Sequence, residues 1–117
     1  MTQSRNPPVW MAQMRKGVAE FAVLMVIESG EIHGYGIYEH LSHRDLLNLS
    51  EGTLYPLLAR LKRQGMLHTR KAASPGAPPR HLYTLTQEGH DRLNAMRAHW
   101  VRLSRSVHAL DTSETLP

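Results

Sequence analysis

Cysteine is absent from this sequence, phenylalanine occurs once, and the apolar runs are short. Without cysteine, disulfide bonds and thiolate chemistry are excluded, which fits a cytoplasmic protein without requiring one. The longest apolar run, Phe21 to Ile27, is far shorter than the ~20 residues that cross a bilayer, and no secretory signal opens the chain. The 117 residues are therefore expected to form one soluble domain with no membrane partner, its core filled by aliphatic side chains and methionine.

Acidic residues are missing between Glu51 and Glu88, an interval called here the basic segment. Its positive charges are Arg60, Lys62, Arg63, Arg70, Lys71 and Arg80. The whole chain carries a net charge of only +4, so positive charge is concentrated in this interval. A local positive field favours a polyanionic partner, and a merely solvated charged surface is the alternative.

Catalytic and metal-binding motifs are lacking as well. The sequence contains no nucleophile elbow, phosphate-binding loop or dinucleotide fingerprint, so no enzyme is predicted. His40 and His43 lie one helical turn apart and could share a metal ion. Because cysteine and an H-E-x-x-H motif are absent, we predict neither a metal nor a cofactor.

Two helices are predicted in the first part of the chain. From Val9 to about Ser29, apolar residues recur every three or four positions, which is typical of a helix, and Gly30 ends it. Gly34 and Gly36 then predict a sharp corner before a short second helix that ends near Ser42.

The third predicted helix has its body from Tyr55 to Gln64 and ends at Gly65. Its inward stripe consists of leucines at helical spacing: Leu54, Leu57, Leu58 and Leu61. The start has two alternatives. If Ser50 is the N-cap, Pro56 removes one internal hydrogen bond and bends the first turns. If Thr53 is the N-cap, Pro56 lies in the first turn, where its missing N–H is harmless.

A β-hairpin and a long helix complete the prediction. The strand candidates are residues 67–72 and 80–85, separated by a turn-rich loop, and the last helix runs from Thr86 to about Leu110. The fold is thus mainly α with a small β-hairpin, a winged helix–turn–helix followed by a long C-terminal helix. We divide it into a flexible N-terminal arm (1–8), the winged domain (9–86), a dimerisation helix (87–110) and a disordered tail (111–117).

The second helix of a helix–turn–helix pair lies in the major groove of DNA. Here the leucine stripe leaves small, polar and basic residues on the outer side of the third helix, and the hairpin adds further positive charge. The residues predicted to contact DNA are Ser50, Glu51, Gly52, Thr53, Tyr55, Pro56, Arg60, Lys62, Arg63, Arg70, Lys71 and Arg80. As an alternative, Tyr55 and Pro56 only pack against the first helix.

Apolar residues in the last helix alternate spacings of three and four, the pattern of a seam that packs against a partner helix. The predicted dimer interface consists of Leu93, Met96, Leu103, Val107 and Leu110. A homodimer with two-fold symmetry would match a palindromic site in double-stranded DNA. The alternative is that the seam folds back on its own domain.

Trp100 occupies the same seam but is too large for tightly packed helices. Two such rings across a two-fold axis could hold a flat aromatic ligand, with Met14, Val18 and Met96 as adaptable walls and Trp10 at the rim. Alternatively, Trp100 simply fills the interface.

Three stretches resemble the PadR family of bacterial transcriptional regulators: HGYGIYEHL (His33 to Leu41), EGTLYPLLARLKRQGML (Glu51 to Leu67) and RHLYTLTQEGHDRL (Arg80 to Leu93). The resemblance extends from Met11 to about Leu110. It implies a homodimeric winged-helix repressor that leaves its operator when it binds a small molecule or receives another inducing signal.

Chain length and the single C-terminal helix resemble the small subgroup of that family. In its multidrug-binding members, the tryptophan corresponding to Trp100 faces a cavity at the dimer interface. The wing sequence PGAPPR departs from the Gly-rich basic wings of many members, although Arg80 keeps its basic end. Two further functions remain as alternatives: a winged-helix protein-interaction module without DNA readout, and a regulator that responds to a metal instead of an aromatic ligand.

Overall fold

Between Val9 and Thr112, four helices and three strands follow one another in the computed structural model, which describes residues 8–112. They are α1 (Val9–Glu28), β1 (Ile32–His33), α2 (Gly34–Ser42), α3 (Glu51–Arg63), β2 (Leu67–Ser74), β3 (Ala77–Leu85) and α4 (Gln87–Thr112). This order confirms the winged helix–turn–helix with a long C-terminal helix. No helix in the described range is long and apolar enough to cross a membrane.

The ends of the chain differ from the prediction where they are described. Asp111 and Thr112 were assigned to a disordered tail but form the last turn of α4. The rest of the predicted tail, residues 113–117, lies outside the described residues. So does the predicted arm except for Pro8, whose φ of −58° and ψ of 148° place it as the residue before the first turn of α1.

A three-stranded antiparallel sheet has the order β1-β3-β2. The β2–β3 hairpin, called here the wing, pairs Leu67 with Leu85 at its base and turns at Gly76, where φ is +73°. The predicted strand limits were too narrow, because the hairpin continues to Ser74 and Ala77. A register shift between Ala72 and Ser74 sets Ala73 of β2 against Pro78 and Pro79 of β3, so β3 holds one extra residue there.

Gly34 and Gly36 lie inside the first turn of α2, where the chain passes directly from the extended strand β1 into the helix. The left-handed glycine in this region is Gly30, with φ +146°, just after α1. Gly34 and Gly36 are needed for close packing: a Cβ on Gly34 would lie 2.7 Å from Cε1 of Tyr55, and one on Gly36 would lie 2.9 Å from Cγ1 of Ile32. The short helix α2 can therefore approach both α3 and β1.

One hydrophobic core joins α1, α2, α3, the base of the wing and the start of α4. The predicted leucine stripe of α3 faces this core, as expected. The buried apolar residues are Phe21, Ala22, Val23, Leu24, Ile27, Ile37, Leu41, Leu54, Leu57, Leu58, Leu61, Met66, Leu67, Leu85 and Leu93. This packing fixes α3 with its opposite side toward solvent.

Ser50 is the N-cap of α3, which resolves the two alternatives. Its backbone is extended, and its Oγ accepts a hydrogen bond from the backbone N–H of Thr53 at 3.2 Å. Pro56 then lies inside the helix, where it removes one internal hydrogen bond. Glu51 stands in the first turn, where the helix dipole favours a carboxylate.

Ser50→Ala is expected to lower the free energy of unfolding by about 1 kcal/mol, because the backbone N–H of Thr53 loses its acceptor. Urea unfolding without DNA, followed by circular dichroism, measures this change. Thr53→Ala is the matched control and should cost less, since Thr53 does not cap the helix. A larger loss in Thr53→Ala would contradict the assignment of Ser50 as the cap.

Candidate nucleic-acid interface

All twelve residues predicted to contact DNA are exposed. On α3 they occupy the side opposite the leucine stripe. The small residues Gly52 and Ala59 leave the helix backbone accessible on that side. Lys62 and Arg63 stand in the last turn of α3, and Lys71 and Arg80 lie on the two strands of the wing. The core packing of α3 and the pairing of β2 with β3 therefore bring the helix and the wing into one continuous surface.

Tyr55 faces α2 and the wing. Its ring contacts α2 at Gly34 and lines an open cleft of about 680 Å³ between α2, α3 and the wing. The side chain remains 40% exposed. Burial of the ring raises the pKa of its hydroxyl, and the nearby Glu51 carboxylate raises it further. Tyr55 is therefore a protonated hydrogen-bond donor at neutral pH.

The same cleft contains residues that the sequence analysis did not single out: Tyr35, His33, His81 and Tyr83. Tyr35 is half-exposed at the first turn of α2, and its ring lies 5.6 Å from that of Tyr38. Burial raises the pKa of Tyr83, with a further contribution from Tyr55. No spacing pattern identifies this cluster, because it is assembled from three separate elements.

Two arginines of the basic segment, Arg60 and Arg70, pair with acidic residues from outside that segment. Nη1 of Arg60 lies 3.3 Å from Oε1 of Glu20 on α1, and Nη1 of Arg92 lies 2.9 Å from the other oxygen of the same carboxylate. This contact directs Arg60 toward α1 and α4. Because the acidic partner comes from outside the segment, the charges within the segment do not predict this pairing.

Arg70 makes a bidentate pair with Glu31, at 2.6 Å from Nε to Oε2 and 2.7 Å from Nη2 to Oε1. The hydrogen bonds from Arg70 lower the pKa of the Glu31 carboxyl group. Both groups are at the surface, where ion pairs are weak. Arg70 can therefore exchange the Glu31 carboxylate for another anion. Among the described residues, Lys62, Arg63, Lys71 and Arg80 make no ion pair and are the directly available cations of this surface.

Leu93 was assigned to the dimer seam, but it is 0% exposed and belongs to the core of its own chain. The first turns of α4 pack against the core of the same chain. An apolar residue in these turns therefore has the spacing of the seam but contacts the core instead of a partner helix. Met96 is partly buried against the core. Beyond it, Leu103, Val107 and Leu110 are exposed along α4, with Leu110 at 74%.

A groove of about 660 Å³ runs between α1 and α4. Its lining includes Met14, Val18, Met96 and Trp100, which are among the residues predicted to bind a ligand, together with Phe21 and Leu103. Trp10 does not line it. The Trp100 ring is 44% exposed, and its centroid lies 6.2 Å from that of Phe21. A smaller hollow of about 370 Å³ shares Trp100 with this groove and is also lined by Arg15 and Leu46.

Within residues 8–112, no three histidine, aspartate or glutamate side chains come together in a way that could hold a metal ion. His40 and His43 do line a shared open cleft with His33 and Glu39.

The sequence pattern of the PadR-like family of transcriptional regulators matches residues 23–95, which is more than half of the chain. No curated protein matches the chain. Among solved structures, a PadR-like transcription factor from Bacteroides fragilis is 33% identical, with a TM-score of 0.73, over 88% of this chain and 99% of that one. A PadR-like transcriptional regulator from Bacillus cereus is also 33% identical, with a TM-score of 0.74, over 84% and 95% of the two chains.

A more distant structure, Bacillus subtilis PadR in complex with operator DNA, is 25% identical over 68% of this chain and 46% of that one, with a TM-score of 0.64. These relatives are transcriptional regulators and not enzymes, in agreement with the sequence prediction. The family pattern begins within α1 and ends within the first half of α4. The chain therefore belongs to the PadR-like family of transcriptional regulators.

Proposed function

We propose that this chain is a homodimeric repressor that binds a palindromic operator through α3 and the wing, and that a planar aromatic ligand bound beside Trp100 releases it. The observation that carries the DNA-binding part is the exposed outer side of α3, continuous with a wing that bears unpaired cations. The structure of Bacillus subtilis PadR, to which this chain is similar, contains operator DNA, and this supports DNA binding by this chain.

The outer side of α3 suits a major groove. Gly52 and Ala59 let the helix backbone approach the base pairs, and the protonated hydroxyl of Tyr55 can donate to a phosphate or a base edge. Lys62 and Arg63 would neutralise phosphates at the end of α3. Arg60 contributes least, because Glu20 shares its charge.

Dimerisation would use the second half of α4. From Ala98 onward this helix has few contacts with its own domain, and Leu103, Val107 and Leu110 form an exposed apolar stripe. Monomeric proteins avoid such patches, and a second copy related by a two-fold axis would cover both stripes at once. The two α3 helices would then meet half-sites about one helical turn, ~10 bp, apart.

Ligand response would follow from the groove between α1 and α4. A ligand held there touches the helix that sets the geometry of the dimer, and an inducer that prefers one geometry shifts the population toward it. If that geometry misplaces the α3 helices relative to successive major grooves, operator affinity falls.

The DNA-binding proposal is tested by selecting bound sequences from a random duplex library and titrating the best site by fluorescence anisotropy at several salt concentrations. The double variant Lys62→Ala, Arg63→Ala should weaken binding by at least about tenfold at ~0.1 M salt. Its log–log salt slope should be shallower by roughly 3.6, since the two protomers of the dimer together lose four phosphate contacts and each contributes about 0.9.

A matched control removes two charges elsewhere, with Lys16→Ala and Arg105→Ala on α1 and α4, and should leave the salt slope almost unchanged. Affinity that does not depend on salt, or an equal loss in both double variants, would contradict phosphate binding by α3. A stable complex with another protein and no binding of any duplex would favour the protein-interaction alternative.

A further inference from the structure

Glu31 stands just before β1 and pairs with an arginine of the wing, which bears on how the wing binds DNA. We infer that Glu31 is a specificity-determining residue: its carboxylate occupies the donors with which Arg70 would bind a phosphate, and so lowers the affinity of the chain for DNA that is not its operator. The inference rests on the proposed function, because it assigns a role to an acid beside the same DNA-binding surface.

The pair has the geometry of an arginine bound to a phosphate. Nε and Nη2 of Arg70 donate to different oxygens of Glu31, at 2.6 and 2.7 Å. An arginine binds a DNA phosphate through the same planar fork of two parallel N–H donors. Glu31 therefore uses the donors that Arg70 would offer to DNA, and the carboxylate and a phosphate compete for one site.

Arg70 lies where one more free cation would strengthen DNA binding. On β2 it is two residues from Ala72, which stands opposite Arg80 on β3. Because side chains alternate along a strand and paired residues share a side of the sheet, Arg70 and Arg80 are diagonal neighbours on one side of the wing. Arg80 lines the cleft that also contains Tyr55 of α3. Releasing Arg70 from Glu31 would therefore place a second unpaired arginine beside this part of the surface.

Glu31 is the acid that opposes the charge of the wing. The wing itself, residues 67–85, contains no acidic side chain. The other ion pairs within residues 8–112 join one helix to another, and Glu39, which lines the cleft beside Arg80, forms none. The hydrogen bonds from Arg70 lower the pKa of Glu31, so its carboxylate is charged at neutral pH.

Operator and non-operator DNA differ in whether they open the pair. The side chains of Arg70 and Glu31 are 61% and 34% exposed, so solvent screens their attraction and the pair opens at a small cost. Binding to non-operator DNA is electrostatic and holds the protein in no fixed register, so Arg70 stays with Glu31 there. At the operator, base contacts by α3 hold the wing against the backbone, and a phosphate replaces the carboxylate. Arg70 then adds to operator binding and not to background binding.

The test is Glu31→Gln, which keeps the size of the side chain and removes its charge. Fluorescence anisotropy at several salt concentrations gives affinities for the selected operator and for a scrambled duplex of the same length and composition. The variant should bind the scrambled duplex at least about fivefold more tightly at ~0.1 M salt. Its log–log salt slope there should be steeper by roughly 1.8, because each protomer of the dimer gains one phosphate contact worth about 0.9. Operator affinity should rise less than about threefold, since only the weak pair is lost.

Glu28→Gln is the matched control. Glu28 lies three residues before Glu31, is 35% exposed and pairs with Arg97 on α4, away from α3 and the wing. This variant should leave the affinity for the scrambled duplex almost unchanged. Arg70→Ala in the Glu31→Gln background should return that affinity close to the original value, because the released guanidinium is the source of the gain.

The inference would be overturned by an equal gain in Glu28→Gln, by a gain that survives Arg70→Ala, or by an operator gain as large as that for the scrambled duplex. Weaker binding by Glu31→Gln would also overturn it, because the pair would then serve to hold the wing in its binding position. Circular dichroism verifies that each variant is folded.

The original chain separates this inference from the proposed function. If it binds neither duplex, the proposed function and the role of Glu31 fail together. If it binds the operator and Lys62→Ala, Arg63→Ala weakens that binding, but Glu31→Gln changes neither affinity, the DNA-binding function stands and the role of Glu31 is rejected.

Discussion

Leu103→Glu is expected to give a folded monomer that has lost at least about a hundredfold in operator affinity. Leu103 is exposed on α4 and lies outside the core, so the substitution leaves the domain intact. In the proposed dimer, however, it would place one carboxylate from each protomer in an apolar seam, at a high desolvation cost. A monomer meets each half-site separately and loses the ~10²–10⁴-fold gain that linked binding provides.

Sedimentation equilibrium and operator titration measure both effects, and circular dichroism verifies the fold. Ala98→Glu is the matched control, since it adds the same charge to an exposed position on another side of α4. The control should remain dimeric and bind operator. A Leu103→Glu protein that sediments as a dimer would refute pairing through this stripe.

Gly89→Ala is expected to destabilise the domain by about 3 kcal/mol, near the upper end for an overpacked site. A Cβ at this position would lie 2.2 Å from the carbonyl oxygen of Met66. That oxygen also accepts the backbone N–H of Thr86 at 3.0 Å, so it cannot move away without breaking the junction between the wing and α4. Because the obstacle is backbone, side-chain rotation cannot relieve the clash.

Chemical denaturation of Gly89→Ala gives the loss directly. Gly17→Ala makes the same exchange in α1, where a Cβ would meet nothing within 4 Å, and should stabilise the protein by ~0.5–1 kcal/mol through helix propensity. Opposite signs for the two variants are the expected result. A Gly89→Ala protein as stable as the original would show that α4 can shift away from β2 at little cost.

Helices were predicted well because their evidence is local. The leucine stripe of α3 and the glycine after its end follow directly from helical spacing, and the observed bounds agree with them. The strand β1 was missed because a strand of two residues is too short to show an alternating pattern. It is defined by its pairing with β3, in which Ile32 lies opposite Tyr83. Leu93 was misassigned because core and seam residues share one spacing on α4.

Charge was the less predictable part of the site. Arg60 and Arg70 lie 40 and 39 positions from the glutamates that bind them, and no short-range rule connects such residues. The exposure of the predicted contacts on α3 followed from the position of the leucine stripe. Which cations stay unpaired depended on the folded arrangement of α1, β1 and α4.

The burial of Leu93 has a consequence for the order of events during protein synthesis. The core is complete once the first turns of α4 have been made, whereas the apolar stripe comes from residues translated afterwards. Domains tend to fold as units, in the order in which they leave the ribosome. The winged domain can therefore complete its core before the apolar stripe of α4 is added, and its folding does not depend on the pairing proposed for that stripe.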